Sequence, residues 1–107
     1  MLKEVKFHKT SKRDLLKFPA EMIREAGHQI QKVQYGGEPS DWKPVATVGQ
    51  GVKEIRLRDS DGIYRVIYVA EYKGLVHVLH AFQKKTDQIK QSDINKAKKR
   101  YKAMKNE

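Results

Sequence analysis

The sequence predicts an α+β domain, and three observations predict it. Residues 20–35 carry apolar side chains at helical spacing, residues 52–82 hold three β-rich runs parted by glycine-ended turns, and residues 92–104 return to helical spacing. Apolar positions recurring every three or four residues form one face of a helix, whereas short runs rich in Val, Ile and Tyr between turn residues form strands. The predicted order is β-α-α-β-β-β-α, an antiparallel sheet flanked by a helical hairpin and a C-terminal helix. A chain of 107 residues can bury one core, so 1–107 reads as a single domain.

Each element has its own signal. Residues 3–8 (KEVKFH) alternate loosely, as a short strand does. Ser11 and Asp14 mark a helix start, with the serine hydroxyl expected to cap the first turn. Pro19 interrupts that helix and suits the first position of the next. In the second helix Met22, Ile23, Ala26, Ile30 and Val33 form one stripe, and Gly36-Gly37 ends it. Residues 38–50, with two prolines and the only tryptophan, read as an ordered loop. The runs 52–58, 63–70 and 75–82 follow as a meander, separated by Asp59–Gly62 and Glu71–Gly74, each taken as a tight four-residue turn. Ser92 is expected to cap the last helix, whose seam is Ile94, Ala97, Tyr101 and Met104.

Charge narrows the function. The net charge is +10, and it is unevenly spread: residues 1–35 hold 8 basic and 4 acidic groups, residues 36–83 hold 6 of each, and residues 84–107 hold 9 and 3. Such a surplus attracts polyanions, whether nucleic acid, an acidic surface or an acidic protein. The absence of cysteine excludes disulfides and thiolate metal sites and suits a reducing compartment. No run approaches the roughly 20 apolar residues of a membrane span. Nor do the first residues resemble a signal peptide. No membrane partner and a cytoplasmic location are expected.

If both turns are tight, Arg56 faces Arg65 and Arg65 faces His80, one row across three strands. Glu54, Ile67 and Val78 then make the row on one side, and Arg58, Ile63 and Phe82 the row on the other, with His77 on the opposite face. Facing arginines cost stability in a sheet, but two guanidinium groups can grip a phosphate and stabilise its extra charge in a transition state. RNA carries its own nucleophile, the 2′-hydroxyl. Cutting it requires a proton acceptor, a group neutralising the phosphate and a donor to the leaving 5′-oxygen. His80 or Glu54 can accept the proton, Arg56 and Arg65 hold the phosphate, and Lys85 or His80 donate, with no metal and no cofactor. Lys84, Arg58 and the last helix's Lys98, Lys99 and Arg100 are candidate contacts to flanking or ribosomal RNA. The plainer alternatives pair Arg56 with an acid on a wet face and leave His80 as a structural histidine.

The tract from Gly49 to Arg58 (GQGVKEIRLR), then Tyr64–Tyr68 (YRVIY), then Leu79–Thr86 (LHAFQKKT) resembles the RelE/ParE toxin superfamily. It resembles most its phage-derived branch, grouped with HigB toxins. The likeness begins near Trp42-Lys43-Pro44 and extends into the tail SDINKAKKRY, ending near residue 102. It implies a RelE-like fold and a toxin of a type II toxin–antitoxin system, an endoribonuclease that cuts messenger RNA on the ribosome. A cognate helix-turn-helix antitoxin would be the protein partner. Arg56 and Arg65 match basic positions of that family's active face, and Lys85 matches a basic residue after its last core strand. Two positions depart from the pattern. Glu54 stands where a typical RelE has a lysine, and the C-terminal tyrosine that stacks on a base has no counterpart, since Tyr101 falls in the helix seam. Three rival readings stay open: a gyrase inhibitor of the ParE kind, a non-catalytic RNA- or DNA-binding module, and an inactive toxin.

Overall fold

A computed structural model describes residues 2–85 and 88–107. Thr86, the last residue of the LHAFQKKT tract, and Asp87 lie outside the described residues. The elements are β1 (Glu4–Phe7), α1 (Ser11–Leu15), α2 (Ala20–Gln34), β2 (Trp42–Pro44), β3 (Val52–Asp59), β4 (Gly62–Tyr72), β5 (Leu75–Lys84) and α3 (Gln91–Lys105). The α+β class stands. The sheet runs in the order β1-β5-β4-β3-β2, with β1 parallel to β5 and every other pair antiparallel. It is therefore mixed, where an antiparallel sheet was expected.

Alternation along the strands assigns two faces. Ile55, Leu57, Tyr64, Val66, Tyr68, Val76 and Val78 pack beneath α1 and α2, against Leu15, Phe18, Met22, Ala26, Ile30 and Val33. Val52, Ile67, Val69 and Leu79 form the other core with Ala97 and Met104 of α3, and Val45 and Val48 close its rim. The seam residues Ile94 and Tyr101 are half-buried at its edge. The Tyr101 hydroxyl donates to the Gln50 carbonyl at 2.9 Å. α2 ends as Gly36-Gly37 require: Gly36 has φ +89°, and the amides of Gly36 and Gly37 bond Val33 and Lys32.

Three local expectations need correction. Pro44 is tolerated in β2 because that strand is three residues long and lies at the sheet edge, so part of the expected loop is a strand. Ser11 begins α1, but its hydroxyl donates to the Val78 carbonyl on β5 instead of capping the helix. α3 starts at Gln91 behind Lys90, one residue before Ser92.

The register decides the rest. Between β3 and β4 it is as the turn predicted, with Arg56 facing Arg65, Glu54 facing Ile67 and Arg58 facing Ile63. Between β4 and β5 it is not. β4 runs on to Tyr72, which pairs with Leu75 across a two-residue turn, and irregularities interrupt the ladder on either side of the Tyr68–Val69 pairs. Arg65 consequently faces Phe82, Ile67 faces His80, and Ile63 faces Lys84. A bulge adds a residue to one strand of a pair, so Leu79 and His80 both reach the α3 face. His77, alternating with Val76 and Val78 of the other core, shares that face and does not oppose it.

Candidate active site

On the α3 face of β3, Glu54 is buried to the last of its surface, and Arg65 beside it is 2% exposed. The Arg65 Nε lies 3.3 Å from Glu54 Oε1. Lys43 of β2 faces Glu54 in the register and brings its Nζ to 3.9 Å of the same oxygen. Arg56, a third exposed, faces Arg65 and reaches Asp41 at 4.0 Å. Lys84 completes the group at half-burial, close enough that burial first and the Arg65 charge second push its ammonium below the ordinary lysine range. Burial likewise depresses Arg65, with Glu54 opposing it. Arg58 stands exposed in the row that holds Lys84.

This cluster has hydrogen-bonding capacity to spare. Among the described residues, both carboxylate oxygens of Glu54 and the Nε of Arg65 are buried and make no hydrogen bond. Buried polar atoms are almost always satisfied, so an unsatisfied acid and guanidinium in contact point to a site that completes its bonds with something else.

The expected row of Arg56, Arg65 and His80 is therefore corrected. Arg56 and Arg65 are adjacent, but His80 lies in the next row, with Ile67 between it and Glu54, about 10 Å across two strand spacings. Its Nε2 donates to Asp93 Oδ1 at 2.7 Å, and Arg100 approaches its Nδ1 at 3.4 Å. Both nitrogens are spent, and burial, opposed by Asp93, holds the imidazole pKa below its ordinary value. Arg65 is held in an internal ion pair and does not present its guanidinium to solvent. Arg100 is likewise a brace, donating to the Leu79 carbonyl at 2.9 Å and Thr10 Oγ1 at 3.0 Å.

Lys98 and Lys99 are exposed on α3. Lys85 is exposed and lines a cleft of about 660 Å³ with Lys17, Phe18, Tyr64, Phe82 and His80. Among the described residues that line this cleft, none belongs to the Glu54 cluster. The structure adds Lys43 and Asp41, which the loop reading passed over. Their signal was Trp42-Lys43-Pro44, whose tryptophan carries the Lys53 ammonium 4.5 Å above its ring. Among the described residues no group of three His, Cys, Asp or Glu can hold a metal ion, and no helix is long and apolar enough to cross a membrane.

The family of phage-derived Gp49-like proteins (DUF891) matches residues 13–102. This chain belongs to that family. The match runs from α1 to α3 and includes every residue of the Glu54 cluster. Gp49-like proteins are grouped with the RelE-like, phage-derived toxin–antitoxin proteins. Among curated proteins, none matches the chain.

Proposed function

We propose that this Gp49-like protein is the toxin of a type II toxin–antitoxin pair and that it cuts messenger RNA at the Glu54 cluster. The observation that carries the reading is a buried, unsatisfied carboxylate ringed by Lys43, Arg56, Arg65 and Lys84. The family's kinship with RelE-like toxins supports the toxin class. In this reading Arg56, Lys84 and Lys43 draw in the phosphate of one RNA linkage, and Lys43 leaves Glu54 to meet it. Glu54 accepts the 2′-hydroxyl proton as that oxygen attacks phosphorus. Lys84, its ammonium made a readier acid by burial and by Arg65, protonates the departing 5′-oxygen. The products are a 2′,3′-cyclic phosphate and a 5′-hydroxyl. Arg65 does not grip the phosphate; it holds Glu54 in place. Arg58, Lys85, Lys98 and Lys99 contact neighbouring RNA, which on the ribosome includes ribosomal RNA, and a helix-turn-helix antitoxin neutralises the protein.

The test is purified protein with ribosomes and a defined message. Cut ends bearing a cyclic phosphate are expected, and Arg56→Ala should lower the cleavage rate by roughly 100-fold or more, the scale of one lost transition-state contact. The variant should remain folded and antitoxin-bound. An intact message beside stabilised gyrase–DNA complexes would reassign the toxin to gyrase.

A second reading has its own support. Arg65 and His80 are both spent on internal acids, which suits a protein that binds RNA and does not cut it. It predicts tight, salt-sensitive binding and no product.

A further inference from the structure

At the other edge of the sheet, a cleft of about 680 Å³ separates the end of β1 from α3. Lys6, Phe7, His8 and Lys9 form one wall. Lys96, Lys99, Arg100, Ala103 and Glu107 form the other; their spacing of three and four places them on one side of a helix. Five of these nine residues are cationic besides His8, and Glu107 is the single acid, ion-paired to Lys6.

His8 is 6% exposed, and its hydrogen bonds fix which of its nitrogens is idle. The His77 Nε2 lies 2.8 Å from the Tyr72 carbonyl, which can only accept, so that nitrogen carries the hydrogen. Neutral His77 then offers Nδ1 as a lone pair, and His8 Nε2, at 2.9 Å, must donate to it. The His8 Nδ1 is the one nitrogen of the pair with no hydrogen bond among the described residues. Folding does not use it, and His8 lines the cleft.

We propose that the β1–α3 cleft binds a phosphate group, with protonated His8 donating from Nδ1 and Lys9, Lys96 and Lys99 supplying the remaining charge. His8 can take the proton without breaking the pair, because its Nε2 already donates to His77. Without an anion, burial first, then His77, Lys6 and Arg100, work against that proton, and only Glu107 favours it. Lys9, Lys96 and Lys99 line the same cleft as like charges, while Tyr72, on β4, meets the His77 ring, the Lys105 carbonyl and the ammonium groups of Lys73 and Lys105. A phosphate reverses the balance, so binding and protonation reinforce each other. The site lies across the sheet from Glu54 and does not rest on the nuclease reading.

Ring-nitrogen NMR of the intact protein tests the proposal, titrated over pH with inorganic phosphate and, separately, with a short RNA lacking cleavable 2′-hydroxyls. The His8 pKa should rise at saturating phosphate. Phosphate affinity should fall roughly tenfold between about pH 5 and about pH 8, as expected when one charge-assisted hydrogen bond is lost. Lys9→Asn combined with Lys99→Ala should abolish the rise while leaving the His8–His77 bond intact. Lys9 has φ +51°, which asparagine accepts readily, so this variant keeps the backbone. A response to both probes assigns the cleft to an RNA backbone; a response to inorganic phosphate alone assigns it to a small phosphorylated molecule. A His8 ring unmoved by either, or moved equally in the double variant, overturns the proposal. Arg56→Ala should leave the response unchanged, which separates it from the cleavage experiment.

Discussion

His8 and His80 are buried imidazoles whose pKa values burial depresses. A depressed histidine takes up its proton in the unfolded chain before it does so in the folded one, so acid favours unfolding. The stability at stake is fully present above the ordinary histidine value of about 6.5 and is lost as pH falls through the lower folded values. Melting temperature should therefore drop between about pH 7 and about pH 5. Thermal denaturation at a series of pH values checks this, and a flat profile over that window would contradict it. His80→Gln should remove part of the slope, since Gln cannot titrate. Lys84 shows a different use of the same physics. Its ammonium is weakened by burial and by Arg65, which suits a residue asked to give up a proton.

Among the elements, the β4–β5 hairpin carries the clearest local test. Lys73 and Gly74 form its two-residue turn with φ +53° and +82°, the left-handed pair that favours Asn-Gly. Lys73→Asn should stabilise the protein by up to about 0.5 kcal/mol, the scale of a surface substitution, read as a raised urea midpoint. Gly49→Ala should act in the other direction. A methyl there would collide with the Tyr101 ring, and the resulting overpacking costs about 1–3 kcal/mol. These two positions also show what the sequence could disclose. The β3–β4 register followed from the Asp59–Gly62 turn, and the stripes of α2 and α3 followed from helical spacing. The Arg56–Arg65 adjacency was therefore legible before any coordinates. The β4–β5 register was not. Reading Glu71–Gly74 as the whole turn left out Tyr72, and the bulge at Leu79–His80 depends on which side chains fit beneath α3, a tertiary preference with no local signature. A two-residue shift kept His80 on the expected face while moving it one row away from the arginines. β2 escaped for a related reason: three residues ending in proline show no alternation to detect.

At the scale of the molecule, one sheet is covered by α1 and α2 on one side and by α3 on the other, and Glu54 and Arg65 lie on the α3 side among residues that could have been apolar. Their neighbours Val52 and Ile67 are fully buried in that core, so the fold has no need of an ion pair at this place. The two roles, stability and chemistry, can be separated by exchange. Glu54→Ala leaves the Arg65 charge buried without its partner and should cost about 3–5 kcal/mol. Replacing both at once, Glu54→Leu with Arg65→Met, removes two buried charges in favour of side chains of similar volume, which is commonly neutral or stabilising. The double variant should unfold at a urea concentration close to that of the unaltered protein and, on the proposed nuclease reading, should lose RNA cleavage and toxicity. A double variant that stays toxic would show that this pair plays no part in the chemistry. One that unfolds as readily as Glu54→Ala would make the pair a structural requirement, and the unsatisfied carboxylate would lose its claim to be held for a substrate.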